Sequence, residues 1–198
     1  MANKVVVSRI KLIFVAFLFL GPLSFAFIWY YGLGAAYTPK ASVNNAPLIT
    51  PVVVTESFSD KTTDGESFDN NALKRRWTIV HFIGQDCQEP CQKALYNTRQ
   101  TRIATGKDAN RIQRIALIEN SSLISDIAAN HADLKFISAN ESKLRQQLIE
   151  VRNGAGLSED DGVMIDPLGN IMMGVPVDLN PSLLLKDLKK LLKLSRVG

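Results

Sequence analysis

Hydrophobic positions run unbroken from residue 12 to residue 33 (LIFVAFLFLGPLSFAFIWYYGL), with no charged residue among them. A run of this length matches the ~20 residues a helix needs to cross a hydrocarbon core of ~30 Å. Pro22 would kink that helix, which a bilayer tolerates better than water does. Trp29, Tyr30 and Tyr31 close the run, and amphipathic rings favour the membrane–water boundary. The pattern predicts a transmembrane anchor over residues 12–33. A cleaved signal peptide is the rival reading, because Gly34, Ala35 and Ala36 supply small residues. The apolar run is longer than the ~7–15 residues usual for such a peptide.

Beyond the run the pattern changes twice. Residues 34–50 are small, polar and proline-containing, and read as a linker. From residue 51 onward, short apolar runs alternate with amphipathic stretches. Residues 52–58 read as a strand, and Asp64-Gly65 as a hairpin turn. WTIVHFI (77–83) is apolar, β-branched and aromatic, which predicts a buried central strand. A helix is predicted over 89–104, a strand over 111–118, a short helix over 123–129 and a strand over 134–138. Residues 141–151 place Leu144, Leu148 and Val151 on one helix face. Residues 154–161 read as a loop. Two apolar triplets, 163–165 and 171–173, flank Asp166-Pro167-Leu168-Gly169, a hairpin turn. Asn180-Pro181 is a cap followed by a first-turn proline, and Leu184, Leu188, Leu191 and Leu192 give the last helix its apolar stripe. Strands alternating with helices predict an α/β domain with parallel pairing, closed by an antiparallel hairpin.

Charge adds a direction. Lys4, Arg9 and Lys11 precede the apolar run and no acidic residue does, which leaves 20 basic against 19 acidic residues afterwards. The positive-inside bias puts residues 1–11 in the cytoplasm and the domain, residues 51–198, on the outer side of the membrane. That domain is nearly neutral, and a nucleic-acid surface would need clustered Lys and Arg.

The two cysteines, Cys87 and Cys91, lie in GQDCQEPC, after the strongest strand and at the start of a predicted helix. Pro90 suits a first helical turn. A helix N-terminus stabilises a thiolate, whereas Asp86 and Glu89 oppose it. Three readings stand. One is a structural staple, although so short a loop contributes only ~2 kcal/mol against ~4.7 for a 100-residue loop. The second is a redox pair exchanging between dithiol and disulfide. The third is a soft two-thiolate site selective for Cu(I).

At this point the sequence resembles the Sco/SenC family. WTIVHFIGQDCQEPC is similar to that family's strand–loop–Cys-x-x-x-Cys block, and VMIDPLGN to its late hairpin; the resemblance spans residues 52–192. It implies a thioredoxin-like fold behind an N-terminal anchor. It further implies an accessory role in cytochrome c oxidase assembly, by copper delivery or thiol reduction. Cys87 and Cys91 fall on the family's copper-binding thiols, and the implied partner is an oxidase subunit or another thiol protein. The family's third copper ligand is a histidine shortly before the hairpin. Here Asp160, Asp161 and Gly162 occupy that neighbourhood, and a carboxylate suits Cu(I) poorly. The proline that thioredoxin-type oxidoreductases place before the equivalent strand is also absent. General thiol–disulfide exchange outside the cytoplasm, and an assembly partner with an inert pair, remain as alternatives.

Other candidates are weaker. His81 sits in the apolar strand and is expected to be a packed core residue, with thiol base or replacement ligand as the functional option. His131 is expected to be an exposed residue near a helix end. Met172 and Met173 could offer thioethers to Cu(I) but read as core. Lys186, Lys189, Lys190, Lys193 and Arg196 read as a solvated face or a docking surface for an acidic partner. No phosphate-binding glycine loop, HExxH or GxSxG occurs.

Overall fold

The computed structural model describes residues 2–33 and 44–195, which form two compact units. In the first, α1 (Ala2–Ile28) continues into a π-helical segment, Trp29–Leu33. Its stretch Arg9–Gly32 is 24 residues long and apolar enough to cross a membrane. Over Arg9–Gly32 the apolar side chains are exposed rather than packed against a core, unlike those of a helix on a soluble core.

The second unit is an α/β domain. Its elements are β1 (Leu48–Val54), β2 (Ser59–Lys61), β3 (Ser67–Asp69), α2 (Asn70–Leu73), β4 (Trp77–Ile83), α3 (Glu89–Ala104), β5 (Ile112–Ile118), α4 (Ile124–Asn130), β6 (Leu134–Ser138), α5 (Lys143–Gly154), β7 (Gly162–Ile165), β8 (Asn170–Val175) and α6 (Pro181–Leu194). Six strands form one sheet in the order β1-β8-β7-β4-β5-β6. β4, β5 and β6 are parallel, and β7, β8 and β1 are added antiparallel. β2 and β3 pair as a separate hairpin whose turn uses Gly65 at positive φ.

Side chains alternate across the sheet. Val80 on β4 and Ile115 and Leu117 on β5 face Leu144 and Leu148 of α5. Ile79, Ile112 and Met173 face Leu184, Leu188 and Leu192 of α6, and Ile83, Ala116 and Ile118 face Leu95 of α3. Helices therefore cover both faces, and every residue of β5 is buried.

The sheet begins earlier than the sequence pattern suggests. β1 starts at Leu48, and Ile49 is buried beside β8, so the end of the stretch read as linker belongs to the sheet. Residues 34–43 of that stretch lie outside the described residues. Asp187 of α6, itself buried, fastens the chain just before β1. Its Oδ2 accepts the backbone N–H groups of Asn45 and Ala46 at 2.8 and 2.9 Å, and its Oδ1 accepts Asn45 Nδ2 at 2.8 Å. Asp60, in the small hairpin, does similar service for α5, accepting Ser142 Oγ at 2.6 Å and the N–H of Lys143 at 3.1 Å.

Candidate functional site

β4 is buried at all positions but Phe82, and it delivers the chain to the C-terminal edge of the parallel sheet. The exposed turn Gly84–Gln88 then leads into α3, with Pro90 in the first helical turn. Asn120 Nδ2 donates to Gln85 O at 3.0 Å, and Glu119 N to Ile83 O at 3.0 Å, so the turn is tied to the end of β5. Cys87 and Cys91 straddle the start of α3 as a disulfide, with Cα atoms 5.1 Å apart. That meets the geometry expected of a bridgeable pair at one helix N-terminus. Both sulfur residues are half-buried and pack beside Leu95, Leu123 and Ile124. Gln92 Nε2 donates to Cys87 O at 3.0 Å and holds the first turn closed. Asp86, a neighbour expected to oppose a thiolate, accepts Gln88 Nε2 at 2.7 Å.

Beneath α3 lies a buried polar network that the hydrophobic pattern did not announce. Arg114 stands in the middle of β5 with 0% exposure. Its Nη1 donates to both Asp133 oxygens, at 3.1 and 3.2 Å, its Nη2 to Leu95 O at 2.7 Å and its Nε to Thr98 Oγ1 at 3.2 Å. Thr98 Oγ1 in turn lies 3.0 Å from His81 Nε2. Burial pushes the Arg114 pKa down, and the Asp133 carboxylate opposes that shift. Burial, then the charge of Arg114, then His131, push His81 well below the ordinary histidine value. His81 is thus the packed core residue the strand pattern implied, and its partner is a threonine. The network's only sequence signal is an arginine inside RIQRIALI, a charge where a fully buried strand should have none.

His131 corrects its expectation. It is 8% exposed, because the chain turns at the end of α4 (His131 N donates to Ala128 O at 3.1 Å) and carries the ring inward. Burial, then Arg114 and Arg99, lower its pKa. Met173 is fully buried and Met172 partly so, both against Trp77 and Ile79, as core filling. Lys186, Lys189 and Lys193 are exposed, and Arg196 lies outside the described residues.

The neighbourhood of the missing histidine is occupied structurally. Asp161 is buried, and its two oxygens accept the backbone N–H groups of Ser158 at 2.8 Å and Val177 at 3.0 Å. Gly162 approaches β4 so closely that a Cβ would meet Val80 O at 2.8 Å, so no side chain fits there. Asp160 remains exposed, in a cleft of about 500 Å³ that also contains Asp86, Glu159 and Arg152. Neither sulfur lines that cleft, although Asp86, the residue before Cys87, does. Arg152 stacks on Phe82, its Cζ 4.5 Å from the ring centroid, and donates to Glu159 O at 2.7 Å. Glu119 and Arg145 pair in the same cleft. Among the described residues no group of three or more His, Cys, Asp or Glu is placed to hold a metal ion. The family's three-ligand copper site therefore does not fit this donor set.

A sulfur pair at a helix N-terminus, on a sheet with helices on both faces, defines a thioredoxin-like domain. The chain belongs to the family described as "Transmembrane-like, thioredoxin-like, C-terminal domain", which it matches over residues 77–195. No curated protein sequence matches it. Solved structures do. ScoI of Bradyrhizobium japonicum with copper bound is 16% identical, at a TM-score of 0.53, over 70% of this chain and 99% of that one. BsSco, of the Sco family of cytochrome c oxidase assembly proteins, is 12% identical, at a TM-score of 0.55, over 77% and 99%. The thioredoxin domain of the thiol-disulfide oxidoreductase BVU-2223 from Bacteroides vulgatus is 14% identical, at a TM-score of 0.50, over 71% and 96%. At these identities the likeness is one of fold, and at that level it agrees with the Sco/SenC resemblance read from the two sequence motifs.

Proposed function

We propose that the chain is a membrane-anchored, Sco-like accessory protein that acts through thiol–disulfide exchange at Cys87 and Cys91. One observation carries the reading. The pair forms a half-exposed disulfide at a helix N-terminus, and among the described residues no third metal donor is grouped beside it. Exchange needs only a reachable sulfur and a thiolate, whereas a closed copper site needs one ligand more. α1 serves as the anchor, with Lys4, Arg9 and Lys11 on the cytoplasmic side and the domain outside. The thiol partner is a cytochrome c oxidase subunit awaiting reduction. Cu(I), as cargo, would be held by the reduced pair alone and released readily.

A Cys91→Ser variant tests this. Its remaining Cys87 thiol should trap the partner as a mixed disulfide in the native membrane, and Cys87→Ser should trap none. Trapping of many unrelated exported proteins would favour the general oxidoreductase, which the likeness to the Bacteroides domain supports. An absence of any trapped species, together with a pair that resists dithiols, would leave an inert staple. Stoichiometric Cu(I) held through dialysis against a competing chelator would count against the labile-cargo reading.

A further inference from the structure

Cys87 borders a different cleft, formed by two helix faces. Tyr96 and Arg99 lie three apart along α3 behind Cys87, and Asp126 and Asn130 lie four apart along α4, with His131 just beyond it. Between them is a space of about 590 Å³, with Leu95 and Ile127 in its walls and Cys87 at its border. That volume lies within the ~300–1,000 Å³ typical of small-molecule sites.

The polar groups here are unspent. Asp133 pairs with Arg102 and Arg114, whereas the side chains of Arg99 and Asp126 make no hydrogen bond or ion pair among the described residues. His131, buried, leaves Nδ1 without a hydrogen-bond partner. Its lowered pKa keeps the ring neutral near pH 7, so one ring nitrogen is an acceptor. The cleft thus offers a cation, an anion and a neutral acceptor beside a sulfur.

We infer that this cleft binds a short thiol peptide with free termini, its carboxylate on Arg99, its ammonium on Asp126 and its sulfur at Cys87. Arg99, Asp126 and Cys87 line one cleft of small-molecule size, which suits a compact ligand that carries a carboxylate, an ammonium and a thiol together, as a short thiol peptide does. The binding stands by itself; the chemistry rests on the redox reading above. The peptide thiolate attacks Cys87 Sγ, the Cys87–Cys91 bond breaks, and its electron pair leaves on Cys91, which takes up a proton. A second peptide thiolate attacks the peptide sulfur of the mixed disulfide and expels the Cys87 thiolate. Two peptide thiols become one disulfide, and the protein disulfide becomes two thiols.

The test uses the full chain in detergent micelles, with S-methylglutathione as a probe that keeps the charges and lacks the thiol. Calorimetry should show binding to wild-type protein that weakens about tenfold or more in both Arg99→Ala and Asp126→Ala. Both positions are outside the core, and circular dichroism checks that the variants fold. The rate of disulfide reduction by glutathione, divided by the rate with uncharged dithiothreitol, should fall by a similar factor. No binding to wild-type, or binding indifferent to both substitutions, overturns the inference. Equal binding of an acetylated, amidated peptide also overturns it, and points to a partner segment instead. Probe binding by a protein whose disulfide resists dithiothreitol would sink the redox reading and leave the cleft standing.

Discussion

Asp133→Ala removes one side of the ion pair that holds Arg114 beneath α3. Arg114 has 0% exposure and directs four hydrogen bonds, two of them to Asp133. Breaking a fully buried pair by deleting one member costs ~3–5 kcal/mol, because a charge is left uncompensated. Two features reduce that here. The Asp133 side chain is 21% exposed, so water can enter the vacated place, and Arg114 keeps Leu95 O and Thr98. The expected loss is about 2–3 kcal/mol, at or just below the bottom of the range for broken buried pairs. Arg114→Met removes the charge together with its need for a partner, fills similar volume and leaves Asp133 with Arg102 at 3.7 Å. It should cost less than Asp133→Ala, in keeping with apolar replacement of buried pairs. Urea unfolding of the full chain in detergent, followed by Trp77 fluorescence in a Trp29→Phe background, measures both. A smaller loss for Asp133→Ala than for Arg114→Met would refute the claim that a desolvated charge is the dominant cost.

Other outcomes follow from the same geometry. His81 and His131 have folded pKa values below 6.5, so the unfolded chain binds protons that the folded one refuses. Stability should be full above that pH and fall as pH drops through it, and His81→Leu should flatten the slope in urea titrations from pH 7.5 to 5. Gly162→Ala forces a Cβ to within 2.8 Å of Val80 O and should lower stability by about 1–3 kcal/mol, read as a reduced urea midpoint. Asp160→His offers an exposed imidazole near Asp86 and should raise Cu(I) retention in chelator competition if that loop reaches the reduced thiols. Asp161→His should destabilise instead, since it strips Ser158 and Val177 of their acceptor.

Much of this is legible in the sequence. WTIVHFI, the helix behind the cysteines and the late hairpin appear where their patterns put them, because periodicity and turn chemistry are local and unopposed there. The pattern places the start of β1 too late because LITPVVV contains a proline and follows a polar stretch. Its assignment depends on pairing with β8, more than a hundred residues away. Cys87 and Cys91 were found by type and spacing. Arg114, Thr98 and Asp133 were not, since they come together only when α3 lies across β5 and the chain returns into β6. His131 was misjudged for the same reason: a polar residue at a helix end reads as exposed until the neighbouring helix covers it.

Asp187 gives the domain a mechanical property. The segment just before β1 is gripped by a carboxylate on the last helix through three short hydrogen bonds. Tension arriving along the chain from residues before Asn45 is therefore borne first as shear against α6, whose Leu184, Leu188 and Leu192 are rooted in the core. The edge strand β1 would otherwise unzip from β8 one ladder bond at a time, and the clip stands between it and the pull. Those three hydrogen bonds must break before a pull from that side reaches the β1 edge.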